Sequence, residues 1–149
     1  MKTKTLLFLF SGLFMFASCS KDKYGNADIS SNTYTTTWTF QDPSYYCDLS
    51  VPEITQDIVD NGAVFVYMSN GNGGWTALPH TEPIDGSYSS TYTPVHFVGG
   101  VRIWKTDTDL LTLDPGSSTF KVVVVSENGL AKRPNLNWED YNEVKAVVE

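Results

Sequence analysis

The chain has 149 residues, with 17 acidic and 10 basic side chains and a net charge of −7 at pH 7. This length predicts a single domain, once an N-terminal signal sequence is removed. The negative charge argues against nucleic-acid binding, which depends on Lys and Arg neutralising phosphates.

The first 18 residues have the form of a secretory signal peptide. Lys2 and Lys4 precede residues 5–17, which are almost wholly apolar, and the small residues Ala17 and Ser18 stand where a cleavage site is expected. The apolar run is too short for a membrane-spanning helix, which needs roughly 17–25 residues. Removing residues 1–18 leaves eight basic and 17 acidic residues, so the net charge becomes −9.

Cys19 stands directly after the predicted cleavage site, as in the lipobox of bacterial lipoproteins. The alternative is an ordinary signal peptide followed by an unmodified Cys. Stable anchoring by acyl chains takes two signals, and two or three chains on one Cys supply them. We predict that Cys19 is lipidated and that the membrane is a partner through this lipid. The protein is then an outer membrane lipoprotein, at the cell surface or on the periplasmic face.

Residues 19–32 are mostly polar and predict a flexible tether, followed by a domain over residues 33–149. The first strand is predicted over Thr33–Phe40 and the second over Tyr45–Val51, with a turn between them. Alternation places Cys47 on the apolar face of the second strand, where it acts as a small core residue. No basic or His neighbour in the sequence activates it as a nucleophile.

The central part predicts a helix and several strands. Pro52–Asn61 has helical spacing and ends before Gly62, and Ala63–Ser69 is apolar on both faces, as in a central strand. Asp85-Gly86 indicates a hairpin, and Pro94 indicates an edge or a bulge in the strand that follows. Further strands are predicted over Trp75–Pro79, Ser87–Val98, Val101–Lys105 and Phe120–Val125, with a short apolar piece at Leu110–Leu113.

The segment Ser126–Leu136 predicts irregular chain, and a C-terminal helix is predicted from Trp138. Helical spacing gives it one apolar stripe that docks on the sheets; its members are Trp138, Tyr141, Val144 and Val148. These elements predict an all-β fold, an Ig-like antiparallel β-sandwich of seven or eight strands. A short helix follows strand two and another helix ends the chain.

The segment from Val51 to Tyr67 resembles small lipoproteins of the Bacteroidota, in which V-P-x-I-T-Q-x-I-x-D-N-G runs into an apolar strand. That group's L-P-Y-T segment stands here as Leu78-Pro79-His80-Thr81. The resemblance spans Thr33 to Val148 and implies the β-sandwich fold and a location in the cell envelope. Some relatives carry the domain beside collagen-like repeats. The group has no agreed activity, so no mechanism follows from the resemblance.

Catalytic and metal-binding patterns are weak. His80 and His96 are the two histidines, and neither stands in a metal-ligand spacing. Asp107, Asp109 and Asp114 offer oxygen ligands for calcium, but the EF-hand pattern fails, and a solvated loop is the alternative. We predict no cofactor and no enzymatic activity. A hydrolase, the remaining alternative, needs a pocket with two carboxylates of perturbed pKa.

Four aromatic residues are the candidate ligand-binding residues: Trp75, Trp104, Tyr88 and Tyr92. Their alternative role is core packing, since aromatic residues dominate sandwich interiors. The sequence therefore predicts a lipid-anchored, non-catalytic envelope or cell-surface module acting through protein contacts. The alternative is a glycan-binding module that uses exposed aromatic side chains.

Overall fold

The computed structural model describes residues 28–109 and 113–149. Nine strands and three short helices in these residues form an antiparallel β-sandwich, which confirms the predicted fold class. The predicted signal peptide, Cys19 and most of the predicted tether lie outside the described residues.

The first sheet has the order β1-β9-β4-β5, and the second sheet has the order β2-β3-β8-β7-β6. The strands are β1 (Ile29–Thr37), β2 (Thr39–Gln41), β3 (Ser44–Ser50), β4 (Ala63–Ser69), β5 (Trp75–Ala77), β6 (His80–Pro83), β7 (Ser89–Phe97), β8 (Gly100–Asp107) and β9 (Ser117–Val125). The helices are α1 (Gln56–Asn61), α2 (Glu127–Ala131) and α3 (Tyr141–Val148).

Strand alternation builds the core between the sheets. Phe120 on β9 points toward the second sheet, and its ring packs edge-on against Trp38, with centroids 5.8 Å apart. The second sheet contributes Cys47 and Leu49 from β3, and both are buried as predicted. Residues of opposite parity on β9 point to the other side of the first sheet, so both faces of this strand are buried.

Helix α3 covers the outer face of the first sheet. Tyr141 and Val144 on the helix pack against Tyr67 and Val123 on β4 and β9. The predicted helix start at Trp138 is wrong by three residues, because Asp140 is the N-cap and its side chain accepts from the Asn142 backbone N–H. Trp138 nevertheless docks on the sheet.

The docking of Trp138 uses both its ring and its backbone. The ring stacks on Phe65, with centroids 4.8 Å apart and planes 3° apart. The hydroxyl of Tyr67 donates to the Trp138 carbonyl at 2.5 Å. Burial raises the pKa of Tyr67, and the neighbouring Tyr141 adds to the increase. Tyr67 therefore stays protonated as a hydrogen-bond donor.

Two boundaries at the start of the domain differ from prediction. Strand β1 begins at Ile29, so the predicted tether end at residue 32 is wrong. The polar residues there become a strand because they pair with the end of β9, with Ile29 opposite Val125. The single predicted strand is also divided at Trp38, where the chain leaves the first sheet and β2 joins the second.

The total of nine strands exceeds the predicted seven or eight. Division of the first predicted strand accounts for one, and His80–Pro83 forms a separate edge strand beside β7. The predicted Asp85-Gly86 turn does join these two strands. Pro94 lies on β7 beyond Tyr92, the last residue that β6 pairs, so one side of the strand is unpaired there. The edge strand of the sheet is β6, so the predicted edge position of Pro94 holds only locally.

The two ends of the sandwich carry different features. At one end, β1 begins, and the turn between β7 and β8 is hydrogen-bonded to the segment before α1. We call this end the anchor end, because the predicted lipidation site Cys19 precedes β1 in the chain. Gly99 N–H donates to the Ile54 carbonyl there at 2.8 Å. At the distal end, β1 and β8 end and β9 begins. A nine-residue strand spans about 30 Å, which separates the two ends.

Helix α2 is not predicted from the sequence, because Gly129 disfavours a helix locally. The same glycine is required for α2 to pack against the start of β1. A Cβ on Gly129 would overlap the Asp28 carbonyl and approach Val125 Cγ1 to 2.8 Å. Only glycine lets the helix lie this close to the start of β1. Ser126 caps the helix by accepting from Gly129 N–H, and its own N–H donates to the Asp28 carbonyl at 2.9 Å.

We expect Gly129→Ala to destabilise the domain by about 1–3 kcal/mol through overpacking. Ala is favoured over Gly inside a helix by about 1 kcal/mol, so helix propensity alone predicts the opposite sign. Gly86→Ala is the matched control, since a Cβ there meets no atom within 4 Å. Urea unfolding of both variants distinguishes the two effects, and a Gly129→Ala variant at least as stable as wild type would contradict the close contact.

Candidate functional site

A cleft of about 530 Å³ opens between the sheets at the distal end. Met68, Thr76 and Ser118 line it from the first sheet, and Tyr88 and Ile84 stand at the β6–β7 hairpin. The volume lies within the range of about 300–1,000 Å³ found for small-molecule sites. We identify this cleft as the candidate binding site.

The second sheet makes the inner wall of the cleft polar. Strand pairing places Ser90 opposite Asp107 and Tyr92 opposite Lys105, so all four side chains point inward. Glu82 lies opposite Ser90 on the neighbouring strand. The apolar core therefore changes into a hydrogen-bonded polar cluster at the distal end.

Lys105 and Asp107 form a buried ion pair in this wall. The Lys105 ammonium donates to both carboxylate oxygens of Asp107, at 2.6 and 2.5 Å, and the Ser90 hydroxyl donates to Oδ1 at 2.5 Å. The two residues are 5% and 4% exposed. Such a pair is costly to desolvate and holds only with good hydrogen bonds, so its presence marks a feature that core packing alone does not require.

Tyr92 and Glu82 form the second polar pair of the cleft. The Tyr92 hydroxyl donates to Glu82 Oε1 at 3.1 Å. Burial raises the pKa of Tyr92, and the Glu82 carboxylate raises it further. Tyr92 therefore stays a neutral donor that holds Glu82 in place. His80 is the neighbour of Tyr92 on β6 and also lines the cleft.

The four predicted ligand-binding aromatics are not brought together. Tyr88 and Tyr92 line the cleft, where Tyr92 is buried and Tyr88 is half-buried. Trp104 points to the opposite, outer face of the second sheet, because it lies one residue before Lys105 on β8. Trp75 lies on the outer face of the first sheet beside α3.

Trp104 belongs to a half-exposed surface cluster rather than a flat platform. Its ring and the Tyr46 ring have centroids 5.3 Å apart and are tilted by 47°. The Arg102 guanidinium lies 4.4 Å from the Tyr46 centroid and donates to both oxygens of Asp48 at 2.7 Å. These hydrogen bonds lower the pKa of Asp48 below its ordinary value. The Trp104 ring is therefore packed against the side chains of Tyr46 and Arg102.

Trp75 is likewise half-buried by its own fold. Its ring lies 5.7 Å from the Tyr141 ring, and the Lys121 ammonium lies 5.0 Å from the Trp75 centroid. A space of about 290 Å³ beside it is lined by residues of the Asn70–Gly74 loop and of α3. This packing favours the structural role of Trp75.

Cys47 has the core role that its strand position predicts. Its side chain is 2% exposed among apolar residues. Burial raises the pKa of the Cys47 thiol to about 12, and the nearby Asp48 adds to the increase. The thiol is therefore protonated at neutral pH and unsuited to nucleophilic chemistry.

In the calcium hypothesis for the loop after β8, Asp107 is the main candidate ligand, and its oxygens are already bonded to other groups. Both oxygens of Asp107 accept from Lys105, and Asp114 Oδ1 accepts from the Gly116 N–H at 2.8 Å. Within residues 28–109 and 113–149, no group of three or more His, Cys, Asp or Glu side chains is placed to hold a metal ion. His80 pairs with Tyr92 near the middle of β7, whereas His96 lies four residues farther along that strand, beside the turn to β8.

Sequence reasoning missed Glu82, Ser90 and Lys105. The sequence of β8 does contain a signal for Lys105. Simple alternation places four residues of this strand on one face: Val101, Ile103, Lys105 and Asp107. Continuing the apolar face into Lys105 and Asp107 would have predicted two inward-pointing charges of opposite sign. The partners on β6 and β7 could not be deduced, because they depend on strand pairing.

A second surface feature lies at the anchor end. Val95, Phe97 and Val98, at the turn between β7 and β8, are 46–53% exposed. Among the described strands, none pairs with β7 on the β6 side beyond Tyr92, so this stretch is an open edge. We call these three residues the apolar tip. Exposed apolar patches next to a free strand edge are typical of interaction surfaces.

Comparisons of the chain with protein families, curated proteins and solved structures found no match. None of the helices in the described residues is both long and apolar enough to cross a bilayer.

Proposed function

We propose that this protein is a lipid-anchored, non-catalytic module of the bacterial cell envelope that acts through contacts with another protein. The observation that carries the proposal is the apolar tip beside the open edge of β7. Three exposed apolar side chains at one turn favour burial against a partner, with about 25 cal/mol gained per Å² covered.

The arrangement of the two ends supports this proposal. The tip lies at the end of the sandwich where β1, the first described strand after Cys19 in the sequence, begins. A partner at the tip would therefore lie close to the membrane. The cleft would face away from it, since it lies at the distal end.

Absence of catalysis is supported by the state of the acidic side chains in the cleft. A hydrolase needs one carboxylate as an acid and another as a base or nucleophile. Both oxygens of Asp107 are engaged by Lys105, and Glu82 accepts from Tyr92. These bonds give Asp107 a structural role and hold Glu82 in place as a hydrogen-bond acceptor.

Anchoring is tested with Cys19→Ala. Wild-type protein is expected in the membrane fraction with an intact mass that includes acyl chains, and Cys19→Ala is expected in the soluble fraction. Protease treatment of intact cells then assigns the cell surface or the periplasmic face. Wild-type protein that is unacylated, or that keeps residues 1–18, contradicts the proposal.

The protein contact is tested by photo-crosslinking in cells. Replacing Phe97 with p-benzoylphenylalanine places a reactive ketone at the apolar tip. Phe40 is the matched control, because it is an exposed Phe, 55% against 46% for Phe97, at the distal end of the same sheet. A discrete protein adduct from position 97 and none from position 40 is expected. Adducts with lipid alone, or equal adducts from both positions, contradict the contact.

Glycan binding is the second candidate function, and the cleft is the observation that favours it. Tyr88 and Tyr92 are the two predicted ligand residues that the fold brings together, and hydroxyl, carboxylate and imidazole groups surround them. Trp75 and Trp104, in contrast, pack against neighbouring side chains. A glycan site would therefore lie in the cleft rather than on an exposed tryptophan.

A further inference from the structure

We infer that the distal cleft binds the terminal one or two sugar rings of a neutral glycan. Glu82 serves as a hydroxyl acceptor, and Tyr88 serves as the stacking surface. The inference rests on the second candidate function and names the site and the ligand class for it. The first argument is size, since about 530 Å³ accommodates one or two pyranose rings and lies in the range of small-molecule sites.

The second argument is the hydrogen-bonding chemistry of the wall. A sugar hydroxyl donates one hydrogen bond and accepts others, so a sugar site needs fixed acceptors and donors close together. Glu82 is a carboxylate acceptor in the lining of the cleft, and hydrogen bonds to a charged group are the stronger kind. Ser118, Thr76 and His80 add groups that donate or accept.

The third argument is that the wall is held in place before any ligand binds. Tyr92 fixes Glu82, while Ser90 and Lys105 fix Asp107. Lys105 and Asp107 are almost fully buried, so their geometry does not depend on solvent-exposed rotamers. A preorganised site lowers the ordering cost of binding, which matters for small polar ligands with little apolar surface.

The fourth argument is the apolar side of the cleft. Tyr88 is half-buried at the β6–β7 hairpin, and Ile84 is 46% exposed beside it. The C–H face of a sugar ring packs on a flat aromatic surface, while its hydroxyls reach the polar wall. A cleft with one aromatic side and one carboxylate side fits both faces of a pyranose.

The charged side chains that line the cleft favour a neutral glycan over a charged ligand. An anionic ligand would gain little from Lys105, because the ammonium is already paired with Asp107. Glu82 and Asp114 in the lining would also repel an anion. A cationic ligand gains little from Asp107, because that carboxylate is already neutralised. A neutral polyol uses the carboxylate of Glu82 as a hydrogen-bond acceptor and needs no counter-charge.

The first test uses the two histidines of the full chain, carrying Cys19→Ser to keep it in solution. His80 lines the cleft, and His96 lies near the anchor end of the neighbouring strand. Titration with glucose, galactose, mannose, N-acetylglucosamine and their disaccharides is followed by imidazole NMR signals. At least one sugar is expected to shift the His80 signal and leave His96 unchanged. Equal shifts at both, or no shift with any sugar, overturn the inference.

The second test uses variants and a glycan array. Glu82→Gln and Tyr88→Ala are each expected to weaken binding at least tenfold, with unchanged circular dichroism. Trp104→Ala is the control, because it removes an aromatic ring on the opposite face of the same sheet. Binding lost only in Trp104→Ala leaves glycan binding standing but refutes the cleft. No binding to any glycan refutes both, and tighter binding of trilysine than of any sugar refutes the ligand class.

Discussion

The Asp107→Ala variant is expected to lose about 3–5 kcal/mol of unfolding free energy. The substitution leaves the Lys105 ammonium buried without its counter-ion, since the Lys105 side chain is only 7% exposed. The Ser90 hydroxyl loses its acceptor at the same time. Domains of this size are stable by about 5–15 kcal/mol in total, so the variant would be partly unfolded at elevated temperature.

Two comparisons separate the buried charge from other causes. The double variant Lys105→Met/Asp107→Leu removes both charges and is expected to recover most of the loss, because apolar replacement of a buried pair is often neutral or better. Asp48→Ala breaks the half-exposed pair with Arg102 and is expected to cost at most about 1 kcal/mol. Urea denaturation gives all three values. A loss below about 1 kcal/mol for Asp107→Ala would show that Lys105 finds water or another partner.

The Phe120→Ala variant is expected to lose about 3–5 kcal/mol. Phe120 is 0% exposed between the sheets and contacts the Trp38 ring, so truncation removes apolar contacts and leaves a cavity. Trp38 Nε1 donates to Ser118 Oγ at 2.9 Å, which fixes the indole and limits how far it can move into the space. The core therefore cannot collapse freely around the deletion.

Phe40→Ala is the matched control for this prediction. It makes the same chemical change at a residue that is 55% exposed, where the ring contacts Tyr45 at the sheet edge. We expect a loss below about 1 kcal/mol, in keeping with surface substitutions. Comparable losses in the two variants, measured by the same urea titration, would contradict the assignment of Phe120 to the centre of the core.

Strand pairing explains which boundaries were predictable. Phe120–Val125 and Ala63–Ser69 were visible from the sequence because their runs of apolar and β-branched residues are typical of strands. Residues Ile29–Asn32 carried no such signal, and they form a strand because β9 offers them an edge. Helix α2 was hidden for a related reason, since Gly129 disfavours a helix locally and is required by the contact with Asp28.

The candidate site divides in the same way. Tyr88 and Tyr92 were chosen from the sequence as aromatics on one strand, and both line the cleft. Trp75 is a candidate because it follows a glycine-rich loop, and Trp104 because alternation turns it away from Ile103. Helix α3 and the Arg102 cluster cover these two rings instead. Position on a strand gives the face of a residue, but only packing decides whether that face is open to a ligand.

The sequence by itself determined the class of fold and predicts a location in the cell envelope, because alternation, turn residues and a signal-peptide pattern are local properties of the chain. Tertiary structure alone decided that Ser90, Glu82, Lys105 and Asp107 meet in one wall, because residues far apart in sequence become neighbours only through register. It also decided that the cleft and the start of β1 lie at opposite ends. Strand direction within the two sheets fixes that separation, and no single segment encodes it.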